Sequence, residues 1–206
     1  MNDPDVLIVG GGVVGAATSY FLARAGVANV VVEQHAPAWG ASGRNPGYVW
    51  THTRAEGVQM ELAKAGRALY EELVHDLDDF EFRASGGMIY FFEDSHELFP
   101  RFVEGRRRAG LPMELLDAIA ARERCPVLPD DVAGATFNPL DAHVEPTKLT
   151  QALMAGARRR GAELESSAVE ALIVEGDRCV GVKTSGGELR AQTVVIAAGS
   201  WSPTLV

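Results

Sequence analysis

The sequence predicts an α/β fold: a parallel sheet with helices, an antiparallel meander, and an inserted α+β segment. Three observations lead to this prediction. The apolar run VLIV at residues 6–9 is followed directly by three glycines and then by apolar residues at helical spacing. A second run, NVVVE at 29–33, follows that helix, and a third, TVVIAA, occupies 193–198. Near-continuous apolar runs are typical of strands buried on both faces, as in parallel sheets.

Composition indicates an ordinary globular protein. The chain has 206 residues, of which 47% are hydrophobic and 23% charged, enough apolar material for one or two domains. Its formal charge of -9 argues against nucleic acid or an anionic membrane as the principal partner, because phosphate attracts a basic excess. No apolar run approaches the roughly 18 residues that span a bilayer, and Asp3 and Asp5 replace the positive charge of a signal peptide. We expect a cytoplasmic protein with no transmembrane segment.

Metal and nucleophile motifs are not found in the sequence. Cys125 and Cys179 are isolated, which fits neither a disulfide framework nor a zinc site. The histidines show no i, i+4 pairing, and no G-x-S-x-G motif surrounds Ser200. The sequence therefore predicts no metal site and leaves the catalytic residues unassigned.

The first turn carries a dinucleotide-binding pattern. Residues 10–15 read GGGVVG and satisfy G-x-G-x-x-G between a strand and a helix, which is the context that this motif requires. Gly10 allows the tight turn, Gly12 lets the backbone approach a pyrophosphate, and Gly15 lets helix and strand pack closely. Glu33 ends the second strand about 20 residues further on, where an acid accepts hydrogen bonds from ribose hydroxyls and disfavours the 2′-phosphate of NADP. The pattern predicts a Rossmann-like site for FAD or NAD.

The loop at residues 40–52, GASGRNPGYVWTH, favours FAD. It resembles the A-S-G-(R/K)-N-x-G loop of the D-amino acid oxidase-like superfamily of FAD-dependent oxidoreductases, of the glycine oxidase, sarcosine oxidase β subunit and D-amino acid dehydrogenase type. Its small residues also leave room for a flat ring, while Ser42, Arg44 and Asn45 offer hydrogen-bond donors to phosphate and flavin oxygens.

Later segments extend the resemblance. VEPTKL at 144–149 resembles the superfamily's V-(D/E/N)-P-x-x-L segment, and TVVIAAGSWS at 193–202 resembles its strand and glycine turn. Between them, turns at 176–177 and 186–187 predict a three-stranded meander. The resemblance implies that the main chain of Val169 meets the adenine; a core valine is the alternative.

The resemblance implies FAD as the cofactor and an FAD-binding domain over 1–80 and 144–206, with 81–143 as the first part of a substrate domain. In that middle part we expect a long helix over 54–79, a strand pair over 81–92, helices over 97–109 and 113–124, and a strand over 132–137. The residues expected to bind the cofactor are Gly10, Gly12, Val13, Val14, Gly15, Glu33, Gln34, Ser42, Gly43, Arg44, Asn45, Val169, Ala198, Gly199 and Trp201.

The implied chemistry is oxidation of the C–N bond of a small amine or amino acid by hydride transfer to flavin, which gives an imine.

The resemblance covers nearly all of the chain but about half to three fifths of a usual member, so we expect a fragment or one portion of a split enzyme that requires a complementary subunit or a C-terminal half. Two alternatives are a non-catalytic flavin-binding or subunit-interaction protein and an NAD-dependent reductase. His52 follows the ASGRNPG motif at 41–47, and it is either a covalent flavin attachment site or a packed or solvent-facing imidazole.

Overall fold

The computed structural model describes residues 3–205, and the chain divides into two compact units. The first unit comprises Met1–Gly47, Val74–Glu81 and Glu145–Val206, and the second comprises Tyr48–Leu73 and Phe82–Val144. The sequence-based boundaries put residues 48–73 in the first domain, whereas they cluster with the second unit in the structure. The reason is that Met60 packs in a buried cluster with Val103, Leu111 and Met113.

Helices and strands are interspersed along the whole chain. The helices are α1 (Val13–Arg24), α2 (Val58–Asp76), α3 (Leu98–Arg108), α4 (Ala118–Arg124) and α5 (Pro146–Arg159). The strands are β1 (Val6–Val9), β2 (Asn29–Glu33), β3 (Tyr48–Val49), β4 (Gly87–Phe91), β5 (Glu114–Asp117), β6 (Gly134–Asn138), β7 (Ala142–His143), β8 (Glu163–Ser166), β9 (Val169–Glu175), β10 (Arg178–Thr184), β11 (Gly187–Arg190) and β12 (Thr193–Ile196). Short 3₁₀ turns cover Ala41–Gly43, Glu93–Ser95 and Gly199–Thr204.

A parallel sheet forms the centre of the first unit. Its strand order is β12-β1-β2-β8, and each neighbouring pair is parallel. All four residues of β1 are buried, as the apolar run predicts for a strand covered on both faces. Strands β9, β10 and β11 form the expected antiparallel meander. The predicted α/β fold with a parallel sheet and helices is confirmed.

Helix α1 packs against α5 through small residues. Ala16, Tyr20 and Ala23 are buried at helical spacing on α1, while Gly156 on α5 lies so close that an added Cβ would be 3.1 Å from the Tyr20 ring. The Tyr20 hydroxyl donates a hydrogen bond to Asp76, and Arg160 donates to both oxygens of that carboxylate at 2.6 and 2.7 Å. These bonds fix the end of α2 in the first unit.

The second unit contains the antiparallel sheet β4-β6-β5, the strand pair β3-β7, and α3 and α4. The expected strand pair over 81–92 is wrong, because the segment supplies the single strand β4, which pairs with the distant β6. Gly86, at φ +76, turns the chain immediately before β4. The helix expected over 113–124 is also wrong in its first turn. Residues 114–117 form β5, and α4 begins only where Asp117 caps it by accepting the N–H of Ala120 at 2.8 Å.

Within residues 3–205, no helix is long and apolar enough to cross a membrane. The same residues contain no group of three or more His, Cys, Asp or Glu side chains arranged to hold a metal ion.

Candidate functional site

A cavity of the first unit lies where β1, β2 and β12 end. Its volume is about 650 Å³, which is typical of small-molecule and cofactor sites. The carboxyl ends of parallel strands are also where α/β sheets bind ligands. The lining residues come from the glycine turn, the end of β2, the loop at 39–44, the start of β9 and the turn after β12.

The glycine turn has no room for side chains. Gly10 has φ +107, and an added Cβ would lie 2.6 Å from the carbonyl oxygen of Ala197. An added Cβ at Gly15 would overlap the carbonyl oxygen of Gly10, so α1 can approach the turn only if residue 15 is glycine. At Gly12 a Cβ would meet the Ser42 hydroxyl at 3.0 Å. The turn therefore offers bare backbone to a ligand, which is what a pyrophosphate group requires.

The N-terminus of α1 borders this cavity, which Gly12 and Val14 line. Gly12, at the N-cap, supplies no side-chain hydrogen bond, and Ser42 from the following loop accepts the N–H of Val13 at 2.9 Å. A hydroxyl has two acceptor sites and one donor, so Ser42 keeps a proton that it can donate to a phosphate oxygen. The positive end of the helix dipole adds to the attraction for an anion.

Glu33 is fixed at the end of β2 by two backbone amides. Its Oε2 accepts the N–H of Gly11 at 2.7 Å, and its Oε1 accepts the N–H of His35 at 2.8 Å. Each carboxylate oxygen has two lone pairs, so both can accept a further hydrogen bond from a ribose hydroxyl. The acid, the bare turn and the helix N-terminus together fit the adenosine diphosphate portion of FAD.

Asn45 shapes the loop that follows β2. It does not line the cavity: its amide donates to the carbonyls of Ala41 at 3.2 Å and Ser42 at 2.9 Å, and its oxygen accepts the N–H of Gly47 at 2.9 Å. An added Cβ at Gly43 would overlap the carbonyl oxygen of Ala38. Both residues therefore set the conformation that brings Ser42 to α1.

Most of the expected cofactor residues line one cavity. These are Gly10, Gly12, Val14, Glu33, Gln34, Ser42, Arg44, Val169, Ala198, Gly199 and Trp201. The other four, which support the turn and the loop from outside the lining, are Val13, Gly15, Gly43 and Asn45. Val169 lines the cavity and also packs against the buried cluster that includes Leu7 and Val32; the contact of its main chain with adenine stays a prediction.

Sequence reasoning missed several lining residues. His35 and Trp39 lie between Glu33 and the loop that begins at Gly40, and Ser167 lies just before β9. An aromatic residue in an otherwise small and polar loop was a signal for Trp39. Ser167 had no such signal, because only the parallel pairing of β8 with β2 brings it to Glu33, whose carbonyl accepts the Ser167 N–H at 3.2 Å.

His52 belongs to a buried polar network in the second unit. It is completely buried; its Nδ1 lies 3.2 Å from Asp141 Oδ2 and its Nε2 lies 2.7 Å from the Thr136 hydroxyl. The other oxygen of Asp141 accepts bonds from the Thr51 N–H, the Thr51 hydroxyl and the Asn138 amide at 2.7, 2.8 and 3.0 Å. Of the alternatives for His52, the packed imidazole agrees with this geometry, because both ring nitrogens already have partners.

Comparison with known proteins agrees with the geometry of the cavity. The family model described as "DAO: FAD dependent oxidoreductase" matches residues 5–206. A glycine oxidase from Bacillus licheniformis is 29% identical over 98% of this chain and 55% of its own length. Subunit A1 of an anaerobic glycerol-3-phosphate dehydrogenase from Haloferax volcanii is 33% identical over 98% of this chain and 37% of its own length.

The crystal structure of glycine oxidase from Bacillus cereus superimposes with a TM-score of 0.90 at 31% identity, over 98% of this chain and 57% of that one. The chain thus spans about half the length of the glycine oxidases that it matches and a smaller share of the dehydrogenase subunit.

Proposed function

Because the chain belongs to the DAO family of FAD-dependent oxidoreductases, we propose that it forms the FAD-binding part of an enzyme that oxidises the C–N bond of an amino acid or a secondary amine. Hydride would pass from the carbon that carries the neutral amine to the flavin, and the nitrogen would lose one proton, so that the product is an imine. The observation that carries the proposal is the cavity in which Glu33, the glycine turn and Ser42 meet at the N-terminus of α1.

The chain's own residues bind and orient the cofactor. Glu33 would accept hydrogen bonds from the ribose hydroxyls, Gly12 would present bare backbone to the pyrophosphate, and Ser42 would donate a hydrogen bond to a phosphate oxygen. Ser167, whose N–H donates to the Glu33 carbonyl, and Val169 line the same cavity, where they would contact the adenine. When bound, FAD supplies the hydride acceptor. The NAD-dependent alternative loses its support, because the family is FAD-dependent.

An amine or amino acid is the preferred substrate class. The loop GASGRNPG resembles that of amine and amino acid oxidoreductases, and the solved glycine oxidase matches nearly the whole chain. A second candidate is oxidation of a C–O bond in a phosphorylated polyol, because a glycerol-3-phosphate dehydrogenase subunit reaches 33% identity. In both reactions hydride leaves a carbon that carries a heteroatom, so the FAD-binding part serves either one.

The activity of the whole protein requires residues that contact the substrate, and the chain spans only about half of its glycine oxidase relatives. The proposal therefore includes a complementary subunit or C-terminal half as the partner that completes the substrate site. The competing hypothesis is a flavin-binding or subunit-interaction protein that performs no catalysis.

The test is anaerobic reduction of the FAD-loaded protein, purified together with the subunit or C-terminal half that completes its substrate site, and followed in the visible spectrum. One sample receives glycine, sarcosine, L-proline and mixed D-amino acids, and a second receives glycerol-3-phosphate. We expect bleaching in the first sample only. Bleaching by glycerol-3-phosphate alone would replace the amine proposal with the C–O candidate. A flavin that dithionite reduces but neither sample bleaches would support the non-catalytic hypothesis.

A further inference from the structure

Two tryptophans meet at the open side of the cofactor cavity. Trp39 lies in the loop after β2, and Trp201 lies in the turn after β12; both line the cavity. Their ring centroids are 6.3 Å apart with a tilt of 44°, and 46% and 50% of their surfaces remain exposed. Because β2 and β12 flank β1 in the sheet, the pair joins the loops on the two sides of the glycine turn.

Trp39 is held in place by its neighbours. The His35 ring lies 4.0 Å from the indole at 30°, and the Arg44 guanidinium lies 4.8 Å from the ring centroid. Arg44 also donates a hydrogen bond to the Trp39 carbonyl. Contacts with protein groups thus orient the indole, which lowers the entropic cost of using it for recognition.

The backbone before Trp39 is also constrained. Ala38 has φ 71, in the left-handed region that non-glycine residues seldom adopt. Its N–H donates to the carbonyl of Gly11 at 3.1 Å, which ties this conformation to the glycine turn. Such costly conformations persist where the surrounding structure fixes them, and they cluster at ligand sites.

Trp201 meets Trp39 from the opposite side of β1. Its N–H donates to the Ala198 carbonyl at 3.1 Å, and its carbonyl accepts the Thr204 hydroxyl at 2.7 Å. The ring lies over Gly40, where an added Cβ would be 3.5 Å from the indole. It therefore packs on the loop that carries Ser42.

We propose that Trp39 and Trp201 form a clasp over the adenosine diphosphate portion of FAD and retain the cofactor in the cavity. The proposal rests on the proposed function. Trp39 contacts His35, whose N–H is bound to Glu33, so the clasp lies next to the ribose-binding carboxylate. Indole rings at this place exclude water from the ribose and pyrophosphate contacts, which strengthens those polar interactions. FMN has no adenosine portion and therefore gains little from the clasp.

The experiment measures how fast FAD leaves the purified, FAD-loaded protein on timed desalting columns. Trp39→Ala is expected to release FAD about 3- to 10-fold faster, the contribution of one or two such aromatic contacts. Trp39→Phe keeps a ring and is expected to stay within about 2-fold of the wild type. The control is Val174→Ala, which removes another exposed apolar side chain of the first unit, outside the cavity. In Trp39→Ala, the affinity for ADP, measured by competition with FAD, should fall by the same factor as the affinity for FAD. The affinity for FMN should not change.

Unchanged FAD release from Trp39→Ala, in a wild type that holds FAD, would overturn the clasp and leave the proposed function standing. An equal loss of FMN and FAD binding would also overturn it, because the variant would then have damaged the site as a whole. Thermal unfolding of the apo variants identifies such damage independently. A wild type that binds no FAD at all would overturn both proposals.

Discussion

The carboxylate of Glu33 accepts a hydrogen bond from the backbone N–H of Gly11, with 2.7 Å between Oε2 and nitrogen. This bond joins the end of β2 to the glycine turn after β1. It places the carboxylate that we propose binds ribose beside the backbone that we propose binds pyrophosphate, and it gives the second glycine of the turn a role that the G-x-G-x-x-G pattern does not assign.

The first prediction concerns Glu33→Gln. An amide has one oxygen where the carboxylate has two, so it cannot accept from Gly11, His35 and the ribose together. We expect FAD affinity to fall about 10- to 100-fold, as for loss of a hydrogen bond to a charged group. Titration calorimetry of the apo protein with FAD measures this. Glu163→Gln, an exposed acid on β8, is the matched control, and an equal loss there would show a general charge effect instead.

The second prediction contrasts two helical glycines. In Gly15→Ala the new methyl would overlap the Gly10 carbonyl, so we expect destabilisation by about 3 kcal/mol or more. In Gly66→Ala, on α2, the methyl meets nothing within 4 Å, and we expect stabilisation by about 0.5–1 kcal/mol from helix propensity. Denaturant unfolding measures both. Equal effects would contradict the close approach of α1 to the turn.

The third prediction concerns the buried Asp141. In Asp141→Ala, His52, Thr51 and Asn138 lose their common acceptor, so we expect a loss of about 3–5 kcal/mol in the free energy of unfolding. Asp130→Ala, a substitution in an exposed loop of the same unit, is the control and should change stability by less than about 0.5 kcal/mol. A small effect for Asp141→Ala would show that the network tolerates an unpaired member.

The fourth prediction is that FAD is not covalently attached. Both nitrogens of His52 are engaged inside the second unit, so acid precipitation should leave all of the flavin in the supernatant. The measurement is flavin absorbance in the pellet and in the supernatant. Yellow colour that remains with the pellet in the wild type and is lost in His52→Ala would contradict the prediction.

The fifth prediction concerns pH. Hydrogen bonds from Tyr20 and Arg160 lower the pKa of Asp76 below 3.8, whereas burial and the bond to Asp76 raise the pKa of Tyr20 above 10.0. Asp76 therefore contributes stability above pH 3.8 that is lost as pH falls through its folded pKa. Tyr20 contributes stability below pH 10.0 that is lost as pH rises through the pKa of Tyr20 in the folded state. We expect the stability advantage of the wild type over Asp76→Asn to be constant between these values and to shrink below pH 3.8, as measured by urea unfolding at each pH.

Short sequence patterns are enough to predict the central sheet and the turns that line the cavity at its strand ends. Local patterns predict strands β1, β2 and β12, the glycine turn and Glu33. Apolar runs and glycine turns can be recognised locally because neighbouring residues impose their conformations. The sequence does not predict the start of α4 correctly, because the β5 segment is too short for periodicity to distinguish strand from helix. Pairing with β6 makes this segment a strand.

The tertiary structure alone decided which distant side chains meet. Ser42 reaches the N–H of Val13, Trp39 meets Trp201, and His52 is enclosed with Asp141. No local pattern encodes these pairs, because the partners are far apart in the chain and come together only when the loops pack on the sheets. The sequence specified the bare backbone of the glycine turn, and packing determined the side chains that surround it.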